Sequence, residues 1–305
     1  MTTAFLFPGQ GSQFVGMGKT AYDQFSEART IFEQADAALG FSLSNICFEG
    51  PEDQLKLTYY TQPAILTTSI ALLQLVQSRG IVCSLAAGHS LGEYSALVAA
   101  GALSFADAVR LVHARGRFMD EAVPAGQGAM SAVMGMERSE LANVCAEASI
   151  GSEAVELANI NCPSQIVISG TAAAVERAGK LAGERGARRV IPLVVSGPFH
   201  SSLMRPAADR LAQTLQNVAV ADAKFPVVAN VSAQPIRQAE AIKRFLVEQV
   251  YSSVLWEDSI RTMLAQGVNR FVEIGPGTVL AGLVKKIDRS VQVISIQEPN
   301  DIEKL

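Results

Sequence analysis

The stretch LAAGHSLGEY at 85–94 sets one serine between two glycines, after an apolar run and before a helix-like segment. G-x-S-x-G at such a junction is the pattern of a nucleophile elbow, a sharp strand-to-helix turn that lifts one hydroxyl out of the backbone. Glycine suits both flanks because a side chain there would collide with the neighbouring strand or helix. The other reading is an ordinary helix start, with Ser90 as an N-cap and Gly88 in a turn. The pentapeptide leaves both open, and the rest of the chain must decide.

Around that junction the chain alternates strands and helices. Ala4–Phe7 reads as a short strand running into Pro8-Gly9-Gln10-Gly11-Ser12-Gln13. A helix over 17–39 carries Phe25, Ala28, Phe32, Ala35 and Leu39 on one face. Another helix covers 62–79, and a strand over 81–86 feeds the elbow. Helices follow over 91–100 and 104–122. After Pro124 the texture changes: strand 129–134, helix 137–149, strands 155–160 and 165–169, helix 172–185 and strand 189–195. This βαββαβ order is the split unit of a ferredoxin-like fold. The body resumes near Gly197 with helix 202–217, strand 227–231, helices 238–250 and 256–266, strand 270–274, helix 278–287 and strand 291–296. Such alternation implies a parallel sheet with helices on both faces. The expected fold is therefore an α/β body made of 1–124 and 197–305, interrupted by a small subdomain at 125–196.

The 305 residues are enough for a large buried core, and 49% apolar against 18% charged residues describes a folded chain. A net charge of −4 argues against general nucleic-acid binding. Cys47, Cys83, Cys145 and Cys162 are widely spaced without a C-x-x-C, as expected of reduced thiols in a cytoplasmic protein. The start, MTTAFLFPGQ, reads as neither signal peptide nor anchor, and no apolar run has the length of a membrane span.

A serine hydroxyl needs a base, and there are only three histidines. His89 adjoins Ser90 in the tight turn and reads as a packed structural residue. His113 falls on the polar side of helix 104–122, beside Arg110 and Arg117, and reads as solvated. His200, in VSGPFHSSLM, follows a strand and a Gly-Pro turn, where α/β proteins carry catalytic groups. It is the candidate base. No carboxylate is marked as a third triad member, and a backbone carbonyl would suffice to fix the tautomer. Arg115 lies seven residues after Ala108, on the stripe of Leu111, Val112, Phe118 and Met119. A guanidinium facing the core must be paired: either with an internal acid, or with a substrate carboxylate held by two prongs. Gly9–Gln13 lacks a phosphate-loop lysine. It serves better as a donor-rich loop, with Gln10 joining the Leu91 N–H in an oxyanion hole.

Taken in order, FPGQGSQ at 7–13, GHSLGEYSAL at 88–97, RGRFMDEAVP at 115–124, NINCPSQIVISG at 159–170, GPFHS at 197–201 and EIGPG at 273–277 closely resemble the malonyl-CoA:acyl carrier protein transacylase family. The resemblance covers essentially the whole chain. It implies a hydrolase-like α/β body with an inserted ferredoxin-like subdomain, in accord with the element order. It also implies a Ser-His dyad of Ser90 and His200, an oxyanion hole of Gln10 and Leu91, and Arg115 on a malonyl carboxylate. Phe199 resembles the malonyl-selective version of its segment. Met119, Met130, Asn159 and Asn161 match positions near the pocket, and Leu255 is expected to lend a main-chain carbonyl to the histidine. The implied activity is malonyl transfer from malonyl-CoA to the phosphopantetheine thiol of acyl carrier protein, supplying fatty-acid synthesis. The alternatives are a discrete acyltransferase, or an acyl hydrolase, serving a polyketide synthase. No permanently bound cofactor or metal is expected; the coenzyme A thioester is substrate. Lys285, Lys286, Arg289, Arg188 and Arg189 are candidate docking residues for the acidic carrier.

Overall fold

The computed structural model describes residues 2–305 and contains ten strands: β1 (Thr3–Phe7), β2 (Leu85–Gly88), β3 (Gly128–Met134), β4 (Val155–Cys162), β5 (Gln165–Thr171), β6 (Arg189–Pro192), β7 (Val227–Val228), β8 (Pro235–Ile236), β9 (Arg270–Ile274) and β10 (Gln292–Ile296). They form two sheets, ordered β10-β9-β1-β2-β7-β8 and β4-β5-β3-β6. The larger is parallel throughout except for the β7–β8 edge hairpin. Its central strands β1 and β2 are buried at every residue. Their continuous apolar sequences fit a strand covered on both faces. The smaller sheet is antiparallel and carries helices Arg138–Ala148 and Ala172–Glu184. The expected α/β body with its inserted βαββαβ unit is the observed fold class.

Helix Thr58–Ser78 is buried along most of its length, packed between helices Ser26–Leu39 and Phe105–Glu121. It therefore shows almost no amphipathic pattern, whereas helix Phe105–Glu121 buries only the stripe of Ala108, Leu111, Val112, Arg115 and Met119, with Val109 and Gly116 beside it.

Several expected elements differ in extent. The helix expected over 17–39 is two, Lys19–Gln24 and Ser26–Leu39, broken where Phe25 adopts extended backbone. Arg29 stabilises the break by donating to the Tyr22 and Asp23 carbonyls. The strand expected over 81–86 begins only at Leu85, where pairing with β1 starts, and Val82 is exposed. The 227–231 strand stops at Val228, freeing Asn230 for the site below. Short helices Leu43–Glu49 and Glu52–Leu55 and strand β8 carried too few residues for a periodic signal.

Candidate active site

The elbow forms at the carboxyl end of β2. Ser90 sits at φ 50, in the left-handed region, between Gly88 at the strand's end and helix Gly92–Ala99. A Cβ on Gly88 would lie 1.8 Å from the Gly92 carbonyl carbon, and one on Gly92 would lie 2.0 Å from the Phe7 carbonyl oxygen on β1. The glycines are thus required by close backbone approach. Ser90 is held by Asn230, whose Oδ1 accepts the Ser90 N–H at 2.7 Å while its Nδ2 donates to the Gly88 carbonyl at 2.7 Å.

His200 reaches the same point from the loop between β6 and helix Arg205–Gln216. It too has left-handed backbone, at φ 58, a costly conformation that surrounding structure must enforce. Its Nε2 lies 2.7 Å from Ser90 Oγ, and its Nδ1 2.8 Å from the Gln249 carbonyl oxygen. A carbonyl only accepts, so Nδ1 carries the proton and Nε2 presents its lone pair to the serine hydroxyl. The resemblance points to Leu255 for one such carbonyl. The structure assigns it to Gln249, at the end of helix Ala239–Gln249, because Leu255 is turned away: its N–H donates to the Asn230 carbonyl and its carbonyl caps Ser259. Leu255 packs on the core of the small subdomain and lines no part of the cleft.

Arg115 is 1% exposed and, among the described residues, has no carboxylate within ion-pair distance. Its Nη1 donates to Gln62 Oε1 at 2.8 Å; its Nη2 donates to Gln249 Oε1 at 3.0 Å and to Ser90 Oγ at 3.2 Å. Its Nε has no partner, and the guanidinium lies 5.5 Å from the Tyr94 ring centroid. Of the two readings open from sequence, a direct internal ion pair is excluded. A buried cation resting only on neutral amides and a hydroxyl retains its appetite for an anion.

Ser90, His200, Arg115 and Gln62 line one cleft of about 560 Å³ together with Gln10, Leu91, Met119, Met130, Asn159 and Phe199. Among the described residues, neither the Gln10 nor the Leu91 backbone N–H donates within the protein, and the Gln10 side chain is turned to Thr58 Oγ1 at 3.4 Å. Asn161 stands apart from this cleft. Its Oδ1 accepts from His89 Nε2 at 2.8 Å and it lines the neighbouring cavity, so it orients His89. His89 packs on Trp256, as a structural histidine should. His113 is half-buried, more enclosed than a solvated face: its Nδ1 donates to the Tyr59 carbonyl at 2.7 Å and its ring packs on Phe41. Of the basic docking candidates, Lys285 is tied to the Val291 and Arg289 carbonyls and Lys286 to Gln165 Oε1.

The electrostatics follow from burial. Desolvation, reinforced by the Arg115 cation, pushes the His200 imidazole down to about 3. The ring is neutral across the physiological range. Desolvation also lifts Glu93 up to about 7, against the pull of the Gln249 and Asn230 donors and Arg115.

Four groups escaped sequence reading: Gln62, Glu93, Asn230 and Gln249. Gln249 had a usable signal, since it continues the buried stripe of Ile242 and Leu246, the same anomaly that marked Arg115. Asn230 had only its position after an apolar strand. Gln62 and Glu93 sit in helices buried on most sides, where no face is distinctive.

Comparison with known proteins agrees with this geometry. The family model described as acyl transferase domain matches residues 4–298. The malonyl CoA-acyl carrier protein transacylase of Bacillus subtilis is 55% identical over 300 residues, covering 98% of this chain and 95% of its own. The solved structure of the Coxiella burnetii malonyl CoA-acyl carrier protein transacylase superposes with a TM-score of 0.97 at 41% identity, covering 100% of this chain and 96% of that one. A malonyl-transacylase solved in complex with a type II polyketide synthase acyl carrier protein gives a TM-score of 0.97 at 42% identity, with 100% and 98% coverage. A neutral imidazole on a strained serine, a buried guanidinium beside both, and full-length likeness to these proteins lead to one conclusion: the chain belongs to the acyl transferase domain family.

Proposed function

We propose that the protein is a malonyl-CoA:acyl carrier protein S-malonyltransferase acting through a malonyl-serine. The observation that carries this reading is the Arg115 guanidinium, buried with no carboxylate in direct contact, 3.2 Å from the Ser90 hydroxyl. A carboxylate placed on Arg115 brings the far carbonyl of a three-carbon diacid to the serine.

In the first half-reaction Ser90 Oγ attacks the thioester carbon as its proton passes to His200 Nε2. The oxyanion faces the Gln10 and Leu91 N–H groups. Collapse breaks the C–S bond, and His200 returns the proton to the coenzyme A thiolate. In the second half the phosphopantetheine thiol loses its proton to His200 and attacks the malonyl-serine, and Ser90 leaves with that proton restored. A histidine held near pKa 3 is a weak base. The malonyl carboxylate offsets the Arg115 charge and so restores basicity when the proper donor is bound. The acyl group travels on serine, so this reading calls for no resident cofactor.

Residues 1–124 and 197–305 act in it as the catalytic body and 125–196 as a subdomain closing the cleft through Met130 and Asn159. Phe199 is the ring that limits the donor's 2-substituent. We assign the activity to fatty-acid synthesis in the cytoplasm; no helix among the described residues is long and apolar enough to cross a membrane. The carrier-bound relative supports an acyl carrier protein as acceptor.

The test is mass spectrometry after mixing with malonyl-CoA alone. Wild type should carry one malonyl group on Ser90, discharged by holo acyl carrier protein, and Ser90→Ala none. Release of free malonate faster than malonyl-carrier formation would instead identify a hydrolase.

A further inference from the structure

Glu93 is one of two glutamates that are fully buried among the described residues, and the steps above do not use it. The other, Glu273, is occupied by the N–H groups of Leu280 and Ala281 at the start of helix Val279–Ile287. Glu93 instead turns towards Gln249 and Asn230, beneath the elbow. Its Oε2 accepts from Gln249 Nε2 at 2.7 Å and from the Asn230 N–H at 3.1 Å. The Gln249 amide spans the gap to Arg115. Its Nε2 is surrounded by acceptors, namely Glu93 Oε2, the Ser90 carbonyl at 3.0 Å and Asn230 Oδ1 at 3.4 Å, while its Oε1 meets the Arg115 Nη2 at 3.0 Å. This surround fixes which way the amide points. The result is a line of charge, dipole and charge: carboxylate, amide, guanidinium.

A buried cation requires compensation, and Glu93 is the carboxylate placed to supply it. We infer that Glu93 is the relayed counter-charge of Arg115, and that a donor carboxylate arriving on Arg115 displaces it from that role, so that Glu93 takes up a proton as the donor binds. Glu93 is thereby a positioning residue that tunes selectivity for an anionic acyl group. The inference rests on the assignment of Arg115 to the donor carboxylate.

The surroundings leave few other titrating groups. Strands β1, β2 and β7 and helix Thr58–Ser78 pack against helix Gly92–Ala99 and bring no Asp, Glu, Lys, Arg or His. Helix Phe105–Glu121 brings Arg115, and helix Ala239–Gln249 brings the neutral Gln249. Tyr94 is held up to about 12 by burial, and His200 is held neutral. His89, also lowered by burial, is engaged with Asn161. Burial already lifts Glu93 to about 7. A second anion on Arg115 raises it further, because the cation that favoured its charged form is now shared.

The experiment is titration calorimetry of the full chain as Ser90→Ala, with malonyl-CoA and acetyl-CoA, in buffers of differing ionisation enthalpy between pH 6 and 8.5. Titration of the coenzyme A phosphates is common to both donors and cancels. Malonyl-CoA should bind with uptake of a proton fraction that acetyl-CoA lacks, and its affinity should fall by up to about tenfold per pH unit above 7. Adding Glu93→Gln, which keeps the accepting oxygen and removes the charge, should abolish the uptake. It should also tighten malonyl-CoA binding about tenfold at pH 8, with acetyl-CoA unchanged. Malonyl preference without differential proton uptake overturns the inference, as does equal weakening of both donors by Glu93→Gln. If the double variant fails to fold, the Ser90→Ala uptake measurement decides alone. Absence of any malonyl preference in Ser90→Ala would instead strike the Arg115 assignment itself.

Discussion

Replacing Arg115 by alanine isolates the group on which donor choice depends. The side chain is 1% exposed and points two nitrogens at Gln62, Gln249 and Ser90, so its charge acts in a nearly dry pocket. Loss of a desolvated, hydrogen-bonded charge pair costs about 2–5 kcal/mol. At 1.36 kcal/mol per decade, malonyl kcat/KM should drop by roughly 30-fold to several thousand-fold. Acetyl transfer offers no carboxylate to lose. It should gain, because removing the cation lifts one of the two main causes that depress His200 towards 3. The assay is acyl transfer from each coenzyme A donor to holo acyl carrier protein, with the two kcat/KM values compared. Equal loss for malonyl and acetyl donors would refute the reasoning, since it would mean that Arg115 holds the serine in place and does not read the acyl group.

Two other perturbations test the scaffold. Gly88→Ala would put a Cβ 1.8 Å from the Gly92 carbonyl carbon, so thermal unfolding should show a loss of roughly 4 kcal/mol or more, with activity gone; a stable, active variant would contradict the close-packed elbow. His200 titrates at 6.5 when unfolded and about 3 when folded, so the unfolded chain binds the extra proton and stability falls as pH drops from 6.5 towards 3. The slope from this one group is about 1.4 kcal/mol per pH unit in that window. Glu93 works in the opposite sense, its contribution being complete below 4.5 and lost as pH rises through 7. His200→Gln should therefore flatten the acid limb of a melting-temperature profile between pH 6.5 and 3. An unchanged limb would show that the imidazole is not held neutral.

Local patterns in the chain encode what lies within one or two helical turns or a single strand. The glycines around Ser90, the βαββαβ run after Pro124 and the misplaced cation at Arg115 are all periodicity or turn chemistry, and each could be read without knowing the fold. Which group answers which is settled by the packed fold. Ser90 and His200 are 110 residues apart, Gln249 and the Ser90 carbonyl 159 apart, and Asn230 and Gly88 142 apart. The Asn230–Gly88 pair exists because β2 and β7 lie side by side; the others exist because the loop after β6 and the end of helix Ala239–Gln249 reach the same elbow, and neither strand order nor loop path is visible to a local pattern. The same reason explains the misplaced carbonyl. Leu255 and Gln249 are separated by only six residues, and nothing in that short span tells which carbonyl faces the histidine. That choice belongs to the packing of helix Ala239–Gln249 against the body. Hydrophobic periodicity reports which face of a segment is buried; it carries no information on which polar group is buried opposite.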